Sequence, residues 1–337
     1  TALGGGYWYW KNARAGQTVA TGSSSGRADF EAPLKTNLEL TAGSGIATYA
    51  RADGADRRAT VTDFEGLIRP VKQNEARFVG ARRVENMLMY SEALDNGVWT
   101  KTGVTMTANQ GNSPGNTVTA DSLSGLNAEA DRLEYVTAIV PASRTFVFSV
   151  WMSGSGTIHL GMPSLSMSTY DSPQIALSTD WKRYSFSVNF LSTDTGVVVP
   201  RIIFRSGDTA SSILVWGAQL EEVTGQVNQN PSEYVSANVK TAFPYHGAGV
   251  DGVKYFDYQN GNTVATNVVT EASGAAIADA TLKGYLAEGS RTNLMIYSEQ
   301  LDNVVWTKMN ATITANTATA PDGHNTADRW NRTSTGS

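Results

Sequence analysis

Thr145-Phe-Val-Phe-Ser-Val-Trp-Met152 is a nearly unbroken run of apolar, β-branched and aromatic residues, and it predicts a buried strand. The stretch Arg183-Tyr-Ser-Phe-Ser-Val-Asn-Phe190 alternates instead. In a strand this places four apolar side chains on one face: Tyr184, Phe186, Val188 and Phe190. Residues 197–204 and 213–219 supply two further strand candidates. Several short strands separated by turn residues predict an all-β fold of the sandwich or jelly-roll type.

The composition of the 337-residue chain agrees with this fold and argues against several classes of function. A net charge of −5, with no run of basic residues, is unlike a nucleic-acid-binding surface, which needs a basic face. The chain has no cysteine, so disulfides, thiolate nucleophiles and zinc–thiolate sites are excluded. No apolar run is long enough to span a membrane, and no signal-peptide pattern is present. Because the first residue is Thr1, we expect the numbering to start inside a longer or processed chain.

An internal repeat is the strongest signal in the sequence. Residues 86–121 read NMLMYSEALDNGVWTKTGVTMTANQGNSPGNTVTAD, and residues 293–328 read NLMIYSEQLDNVVWTKMNATITANTATAPDGHNTAD. The offset is 207 without a gap, and 19 of the 36 aligned positions are identical. A repeat of this length indicates that one structural unit occurs twice.

Each copy of the repeat reads as the entry to a β-domain. An apolar strand is predicted at 87–90, followed by a turn at Leu94-Asp-Asn96, an apolar Trp99 and a strand beginning at Val104. The repeated Tyr and Trp side chains could stack on a ligand, but large aromatic residues that recur with a fold are better explained as core anchors. The second copy stops soon after the repeat, and we therefore expect an incomplete second sandwich.

These features divide the chain into five parts. Residues 1–29 form a Gly- and Ser-rich arm or linker, 30–85 a β-rich connector, and 86–238 the β-sandwich. Residues 239–292 form a second connector, and 293–337 begin the truncated second sandwich. Strand candidates in the connectors lie at 46–49, 59–62, 253–256 and 263–270.

Four consecutive aromatic residues stand out in the N-terminal arm: Tyr7, Trp8, Tyr9 and Trp10. In a strand the two Tyr side chains face one side and the two Trp side chains the other. Such a segment would aggregate if left in water, so we expect it to pack against something. It is an oligomer or docking contact, the tail of a preceding domain, or a sugar-stacking patch.

Several motifs together resemble a phage carbohydrate-binding-module-like β-sandwich domain, which occurs in tail fibres, tailspikes and other virion surface proteins. The motifs are Glu85-Asn-Met-Leu-Met-Tyr-Ser-Glu92, Trp99-Thr-Lys101, Trp181-Lys-Arg-Tyr184, Trp216-Gly-Ala-Gln-Leu-Glu221 and Ser232-Glu-Tyr-Val235. Residues 51–78, 252–256 and 282–288 resemble lead-ins to such domains. The resemblance covers about residues 46–337. It implies a jelly-roll sandwich on the virion exterior, at the tail or capsid surface, but it transfers no ligand residue to this chain.

The sequence offers little support for catalysis or metal binding. Its three histidines, His159, His246 and His324, are widely separated, and His159 is expected to project from a strand toward solvent. The adjacent Glu221 and Glu222 would face opposite sides of a strand and could not flank one glycosidic bond. The oxygen-rich stretch containing Asp121, Asn127, Glu129 and Asp131 could hold calcium, but it lacks EF-hand spacing and is better interpreted as a solvated loop. We predict no enzyme activity, no metal and no cofactor.

Two aromatic residues outside the predicted core are candidates for sugar binding. Tyr170 lies in a polar loop, and Trp181 follows the turn Ser178-Thr-Asp180, although Trp181 belongs to a motif of the resembled family and is also explained as structural. Trp151 and Trp216 lie in apolar strands and are predicted to be core.

Three hypotheses for function follow. The first is a virion structural protein, such as a tail fibre or a decoration protein, that contributes to attachment to a host surface or glycan. The second is a spacer or capsid decoration protein without a ligand. The third is the non-catalytic part of a tailspike depolymerase. In each case the expected partners are other virion proteins and further copies of the chain, with a trimer favoured, and we expect no nucleic-acid partner and no membrane insertion.

Overall fold

The structure is a computed structural model that describes residues 59–164, 170–239, 248–256 and 293–333 in full. Strands at 6–11, 46–51 and 284–285 are described by their backbone. The described residues form strands, turns and irregular segments and contain no helix, so the all-β prediction is confirmed. It follows that no described helix could cross a membrane.

Twenty strands make up the described elements. The strands before the sandwich are β1 (Gly6–Lys11), β2 (Ile46–Arg51), β3 (Thr60–Thr62), β4 (Ile68–Pro70), β5 (Phe78–Val79) and β6 (Arg82–Glu85). Those of the sandwich are β7 (Trp99–Thr102), β8 (Thr105–Asn112), β9 (Val118–Ser124), β10 (Arg132–Tyr135), β11 (Thr145–Gly154), β12 (Thr157–Gly161), β13 (Ile175–Ala176), β14 (Lys182–Asn189), β15 (Arg201–Ile203) and β16 (Ser212–Glu222). The remaining strands are β17 (Val253–Phe256), β18 (Gly284–Tyr285), β19 (Ala311–Ala318) and β20 (Ala327–Arg332).

The sandwich has the strand order of a jelly roll. Sheet A has the order β13-β12-β15-β10-β7, and sheet B has the order β14-β11-β16-β9-β8. The eight strands β9 to β16 alone give the orders 9-16-11-14 and 10-15-12-13, in which the chain crosses between the sheets at nearly every step. Strands β7 and β8, which belong to the repeated motif, extend one sheet each. The predicted jelly-roll sandwich is therefore confirmed.

The main core lies between the two sheets, and it explains the two hydrophobic patterns in the sequence. The predicted apolar face of β14 packs on this core through its alternate side chains. Strand β11 instead is buried along its first eight residues. Phe146, Phe148, Val150 and Met152 face the core between the sheets, whereas Trp151 packs on the other side with Trp216 and Tyr234. A strand buried on both faces needs a continuous apolar run, as its sequence shows.

The strand predictions differ from the structure in two places. Residues 87–90 were expected to form a strand, but they are an irregular segment in which Tyr90 has a positive φ of 54°. Leu88 is nevertheless fully buried, so the apolar run reflects burial of an extended segment rather than pairing in a ladder. The strand predicted at 197–204 is regular only at β15. The strand predicted at 263–270 lies outside the described residues.

The two connectors contribute to one small core of their own beside the sandwich. Strand β17 pairs antiparallel with β6, and β18 pairs with β5. Their buried apolar side chains include Val61, Val71, Phe78, Val84, Val235, Val253, Tyr255 and Phe256. Beneath them the Glu75 carboxylate, which has no exposed surface, accepts hydrogen bonds from Arg83 Nε at 2.7 Å and Tyr255 Oη at 2.6 Å. The described parts of both connectors thus form one packed unit.

The second copy of the repeat shares much of the local structure of the first, although the residues equivalent to β7 form no strand in it. Its strands β19 and β20 pair antiparallel as β8 and β9 do, and Tyr297 has the same φ of 54° as Tyr90. The indole Nε1 of Trp99 donates to the Tyr90 carbonyl at 3.3 Å, and that of Trp306 donates to the Tyr297 carbonyl at 3.0 Å. Trp99 is a core residue, as the sequence predicted, whereas Trp306 keeps the same local bond but is only half-buried and Tyr297 is 47% exposed, so the prediction of core anchors fails in the second copy.

Candidate functional site

The outer face of sheet B is largely covered by the chain itself. Residues 226–238 cross this face, and the ring of Tyr234 in this segment packs on that of Trp216 in β16, with the ring centroids 4.8 Å apart. The Arg183 guanidinium on this face is buried, where it donates to Ser149 Oγ at 2.9 Å and to the Ser232 carbonyl. Trp151 and Trp216 are buried, which confirms their prediction as core residues. The centre of this face is therefore closed to a ligand, whereas the edge strands β14 and β8 keep exposed side chains on it.

The outer face of sheet A is mainly polar and is exposed at its edges, whereas Arg201 and Ile203 on its central strand are 8% and 1% exposed. Because Leu133, Ile158 and Ile202 point into the core, their neighbours in sequence point outward. The pairing register arranges these neighbours in rows across the strands, one of which runs Thr100, Glu134, Arg201, Gly161 and Asp171. A second row runs Thr102, Arg132, Ile203 and His159. We call this surface, together with the flanking residues Gln174, Arg205 and Asp208, the polar face.

Asp171 organises one end of the polar face. Its Oδ1 accepts a hydrogen bond from Arg201 Nη2 at 2.9 Å, and its Oδ2 accepts one from Arg205 Nε at 2.9 Å. Burial alone would raise the pKa of Asp171, but the hydrogen bonds and charges of the two guanidinium groups outweigh it and hold the pKa below its ordinary value. The carboxylate is therefore ionised at neutral pH and fixes both arginines in place.

Gly161 makes this arrangement possible. A Cβ atom at this position would lie 2.5 Å from Asp171 Oδ1 and 2.6 Å from Arg201 Nε, which is closer than atoms of these types can approach. The Asp171–Arg201 pair therefore lies flat across the backbone of β12, in a place that only glycine leaves open.

A second polar cluster lies beside the first. Asp208 Oδ2 lies 2.8 Å from His159 Nδ1 and accepts a hydrogen bond from the Arg205 amide at 2.8 Å, while Asp208 Oδ1 accepts one from Gln174 Nε2 at 3.0 Å. Burial raises the pKa of Asp208, but the hydrogen bonds from Arg205, His159 and Gln174 outweigh it and lower the pKa. The His159 side chain lies on the outer face of β12, away from the core, as predicted. It does not project freely into solvent, because Asp208 holds it against the sheet.

Neither aromatic candidate from the sequence is part of the polar face: Tyr170 precedes Asp171 but its ring packs on the main core, and Trp181 lies on sheet B. The Tyr170 ring packs edge-on against Phe190 with centroids 5.2 Å apart, and its hydroxyl donates to Asp194 Oδ2 at 2.9 Å. Trp181 packs on the cluster around Trp151, and its Nε1 donates to the Asn112 carbonyl at 2.9 Å. Both half-buried rings have structural contacts, and their role in sugar binding stays a prediction.

The N-terminal aromatic segment forms β1, which pairs antiparallel with β2, so that Trp8 lies opposite Tyr49 and Trp10 opposite Ala47. The segment is thus a strand paired within its own chain. Contacts of Tyr7, Trp8, Tyr9 and Trp10 with other subunits stay a prediction, because only the backbone is described.

The stretch considered for calcium is not a solvated loop throughout. Asp121 is buried in β9, where Oδ2 accepts from the Leu94 amide at 2.8 Å and Oδ1 from the Asn109 amide at 3.0 Å. Asp131 accepts from the amides of Asn127 and Ala128. In the described part of the chain, no three His, Asp or Glu side chains are grouped to hold a metal ion. His246 lies outside the described residues.

Sequence reasoning missed the polar face because its members come from β7, β10, β12 and β15 and from two loops. The available signal was the outward set of alternate residues in these strands. Strands β10 and β15 are only four and three residues long, too short for alternation to be convincing.

Comparison with known proteins gives distant structural likenesses. No family model and no curated protein sequence matches the chain. One similar solved structure is the enzymatically active domain of tailspike protein 4 from bacteriophage CBA120, at 15% identity and a TM-score of 0.34, covering 41% of this chain and 21% of that one. The match thus spans about a fifth of the length of the tailspike structure.

Carbohydrate-binding modules are also similar. The CBM22-1 xylan-binding domain of Paenibacillus barcinonensis Xyn10C is 12% identical with a TM-score of 0.31, covering 44% of this chain and 96% of that one. A family 29 carbohydrate-binding module is 10% identical with a TM-score of 0.31, covering 42% and 92%. With TM-scores below 0.5, these likenesses do not bear on what this chain binds.

Proposed function

We propose that the chain is a non-enzymatic virion surface protein of a phage, in a tail fibre or another exterior fibre or decoration protein, and that its sandwich binds a glycan on the polar face. The observation that carries the binding proposal is the contrast between the two sheets. The chain covers the centre of sheet B with its own residues, whereas the outer face of sheet A holds ordered and partly exposed guanidinium, imidazole, amide and carboxylate groups. The phage context rests on the family that the sequence motifs resemble.

The polar face suits a neutral carbohydrate chain. The row from Thr100 to Asp171 crosses four strand intervals, which is about 19 Å at the usual strand spacing. Sugars present many hydroxyl groups, and these exchange hydrogen bonds with fixed donors and acceptors. Because positive and negative side chains are paired on this face, it offers such groups without a strong net charge.

The lowered pKa values of two aspartates on this face favour binding without hydrolysis. Glycoside hydrolysis generally requires one carboxyl group kept protonated by a raised pKa, beside a second carboxylate. Asp171 and Asp208 both have lowered pKa values, so neither can donate a proton near neutral pH. This part of the proposal agrees with the prediction of no enzyme activity.

Affinity electrophoresis in gels containing host capsular or wall polysaccharides would test the binding proposal. We expect the intact chain to be retarded in at least one such gel, and Arg205→Ala to weaken the retardation about tenfold, because loss of a charged hydrogen-bonding group costs about 1.5–3 kcal/mol. Lys182→Ala, an exposed change on β14 of the other sheet, is the matched control and should leave the retardation unchanged.

Equal retardation of the two variants would place the sugar elsewhere, and Tyr170→Ala and Trp181→Ala would then test the aromatic candidates. An absence of retardation in every polysaccharide would favour the alternative function, a spacer or decoration protein without a ligand.

A further inference from the structure

An Asn–Gly pair lies in the turn that precedes β7 in the first copy of the repeat. Asn96 is partly exposed, and Gly97 is exposed. In such a pair the backbone nitrogen of the second residue can attack the side-chain amide carbon of the asparagine and expel ammonia, because glycine places no Cβ atom in the path of attack. The turn therefore contains both partners of a self-modification reaction.

The fold gives no steric reason for a glycine at position 97. A Cβ atom built on Gly97 would meet nothing within 4 Å, and the residue does not have the positive φ that favours glycine. At the equivalent position the second copy has Val304, which is 93% exposed. Neither backbone conformation nor packing therefore explains this glycine.

The side-chain amide of Asn96 is held against the backbone that follows it. Its Oδ1 accepts a hydrogen bond from the Val98 amide at 3.1 Å. This bond closes a turn of the Asx type, which keeps the side chain beside the intervening Gly97 nitrogen. The same bond stabilises the negative charge that develops on Oδ1 during attack. Among the described residues, no acceptor takes a hydrogen bond from the Gly97 amide, so this nitrogen is available.

The Asn96 carbonyl oxygen lies between two donors. Lys101 Nζ donates to it at 2.6 Å, and the Trp99 amide donates to it at 3.1 Å. The Gly97 nitrogen must lose its proton to attack, and the resulting negative charge is shared with this oxygen through the peptide bond. A cation and an N–H group placed on the oxygen stabilise that charge, as the donors of an oxyanion hole do. The turn thus favours the reactive form of the nucleophile.

The second copy reproduces this geometry without the glycine. Asn303 Oδ1 accepts a hydrogen bond from the Val305 amide at 3.1 Å. The Asn303 carbonyl accepts from Lys308 Nζ at 2.5 Å and from the Trp306 amide at 3.1 Å. Val304 is β-branched, and its side chain hinders attack by its own nitrogen. The two turns therefore differ at the residue that decides reactivity.

We propose that Asn96 is a site of spontaneous deamidation, which the folded turn promotes. The Gly97 nitrogen gives its proton to a solvent base and bonds to Asn96 Cγ, and the bond from Cγ to Nδ2 breaks to release ammonia as a succinimide ring closes. Addition of one water molecule opens the ring to an aspartyl or an isoaspartyl residue. In total one water is consumed, one ammonia is released, and a carboxyl group replaces the amide. The reaction requires no glycan on the polar face.

The isoaspartyl product changes the turn beside a core residue. The main chain then runs through the former side chain, which lengthens the backbone by one carbon between Asn96 Cα and the Gly97 nitrogen. A free carboxylate replaces the peptide carbonyl that accepts from Lys101, so an ion pair forms where a hydrogen bond was. Because buried Trp99 follows directly on this turn, we expect the modification to lower the stability of the sandwich.

Incubation of the full chain at mildly alkaline pH, followed by mass spectrometry of its peptides, tests the proposal. Each conversion raises the peptide mass, and fragmentation locates the modified residue. We expect Asn96 to convert while Asn303 stays largely unchanged. Val304→Gly should bring Asn303 to a rate similar to that of Asn96, and Gly97→Val should bring Asn96 down to the rate of Asn303. Both substitutions are at exposed positions and should leave the fold intact, which circular dichroism would verify.

Lys101→Met separates promotion by the turn from the ordinary reactivity of an Asn–Gly pair. We expect conversion of Asn96 to slow about tenfold, which is less than the loss of a buried oxyanion donor causes, because Lys101 is partly exposed. Lys182→Met, at an exposed lysine of β14, is the matched control and should leave the rate unchanged.

Three results would overturn the proposal. The first is conversion of Asn96 no faster than that of Asn303 in the unsubstituted chain. The second is conversion of Asn96 that is as fast in Lys101→Met as in the unsubstituted chain, or faster. The third is faster conversion in urea-unfolded chains than in folded chains, because the folded turn would then protect the pair.

Discussion

Asn86 shows how one side chain fixes the entry to the sandwich. It is buried, and its amide group donates to two backbone carbonyls while its Oδ1 accepts from the Leu88 amide at 3.0 Å and the Leu220 amide at 3.3 Å. Three of these bonds join Asn86 to residues that are distant in sequence, and the fourth, from the Leu88 amide, is local. In the first copy the repeated asparagine therefore has a structural role, which the sequence alone could not separate from ligand binding.

We expect Asn86→Ala to lower the free energy of unfolding of the sandwich by about 3 kcal/mol, because it leaves buried carbonyl and amide groups without partners. Asn293→Ala is the matched control within the same chain. Asn293 keeps only the short bond from the Met295 amide at 3.0 Å in the described structure and is exposed, so the expected change is below about 0.5 kcal/mol. Urea unfolding followed by tryptophan fluorescence measures both, and equal effects would contradict this account.

At the scale of elements, the hairpin of β19 and β20 contacts the sandwich through a turn that differs from its first-copy equivalent. His324 stands in the position of Thr117, and its Nε2 lies 2.8 Å from Glu222 Oε1. The backbone is close as well, because the Ile68 amide donates to the Pro321 carbonyl at 3.0 Å and Gly323 lies against Gly225. The contact therefore involves groups that the first copy lacks.

This contact should depend on pH. The hydrogen bond with Glu222 raises the pKa of His324 despite partial burial, and the charges of Glu222 and Asp322 add to the effect. Arg144, 3.0 Å from Glu222 Oε2, is the facing positive group. A histidine with a raised pKa stabilises the contact below its unfolded pKa of about 6.5, and this stabilisation is lost as the pH rises through the folded pKa.

We therefore expect the Ile68 amide to exchange faster at pH 8.5 than at pH 6, after correction for intrinsic exchange. The free energy of local opening should differ by at most about 1 kcal/mol between the two pH values, because the His324–Glu222 pair is partly exposed. His324→Thr, which restores the first-copy residue, should remove the pH dependence. Hydrogen exchange measured by NMR gives both values, and a pH dependence that survives in the variant would assign it to another group.

The elements also show how far the sequence could predict the fold. Strands β11, β14 and β16 were predictable because their patterns are long and record burial on one face or both. The extended segment at 87–90 was mistaken for a strand, since burial of Leu88 produces the same apolar signal as a ladder does. The polar face could not be predicted, because Asp171 and Arg201 meet only through the pairing of β12 with β15 and the loop beside them.

At the scale of the whole molecule, the repeat places one local structure in two different environments. The first copy lies inside a complete jelly roll, and the second is a hairpin whose strand β20 pairs, among the described strands, only with β19. The chain therefore contains its own comparison, in which the same hydrogen bond can be measured with and without cover. Differences between the copies report on tertiary packing, because their local hydrogen bonds are nearly identical.

The Asn109 and Asn316 amides form the best matched pair. Each residue has a φ of 54°, and each amide donates to an aspartate Oδ1 at 3.0 Å, Asp121 in the first copy and Asp328 in the second. Local opening breaks such a bond at little cost where the hairpin is exposed, whereas in a packed sandwich opening approaches the global free energy of unfolding. We expect the Asn109 amide to exchange at least about 30-fold more slowly, a difference of about 2 kcal/mol. Hydrogen exchange at dilute protein concentration measures the ratio. Equal protection of the two amides would contradict this account, because it would mean that the second hairpin is packed as tightly as the first.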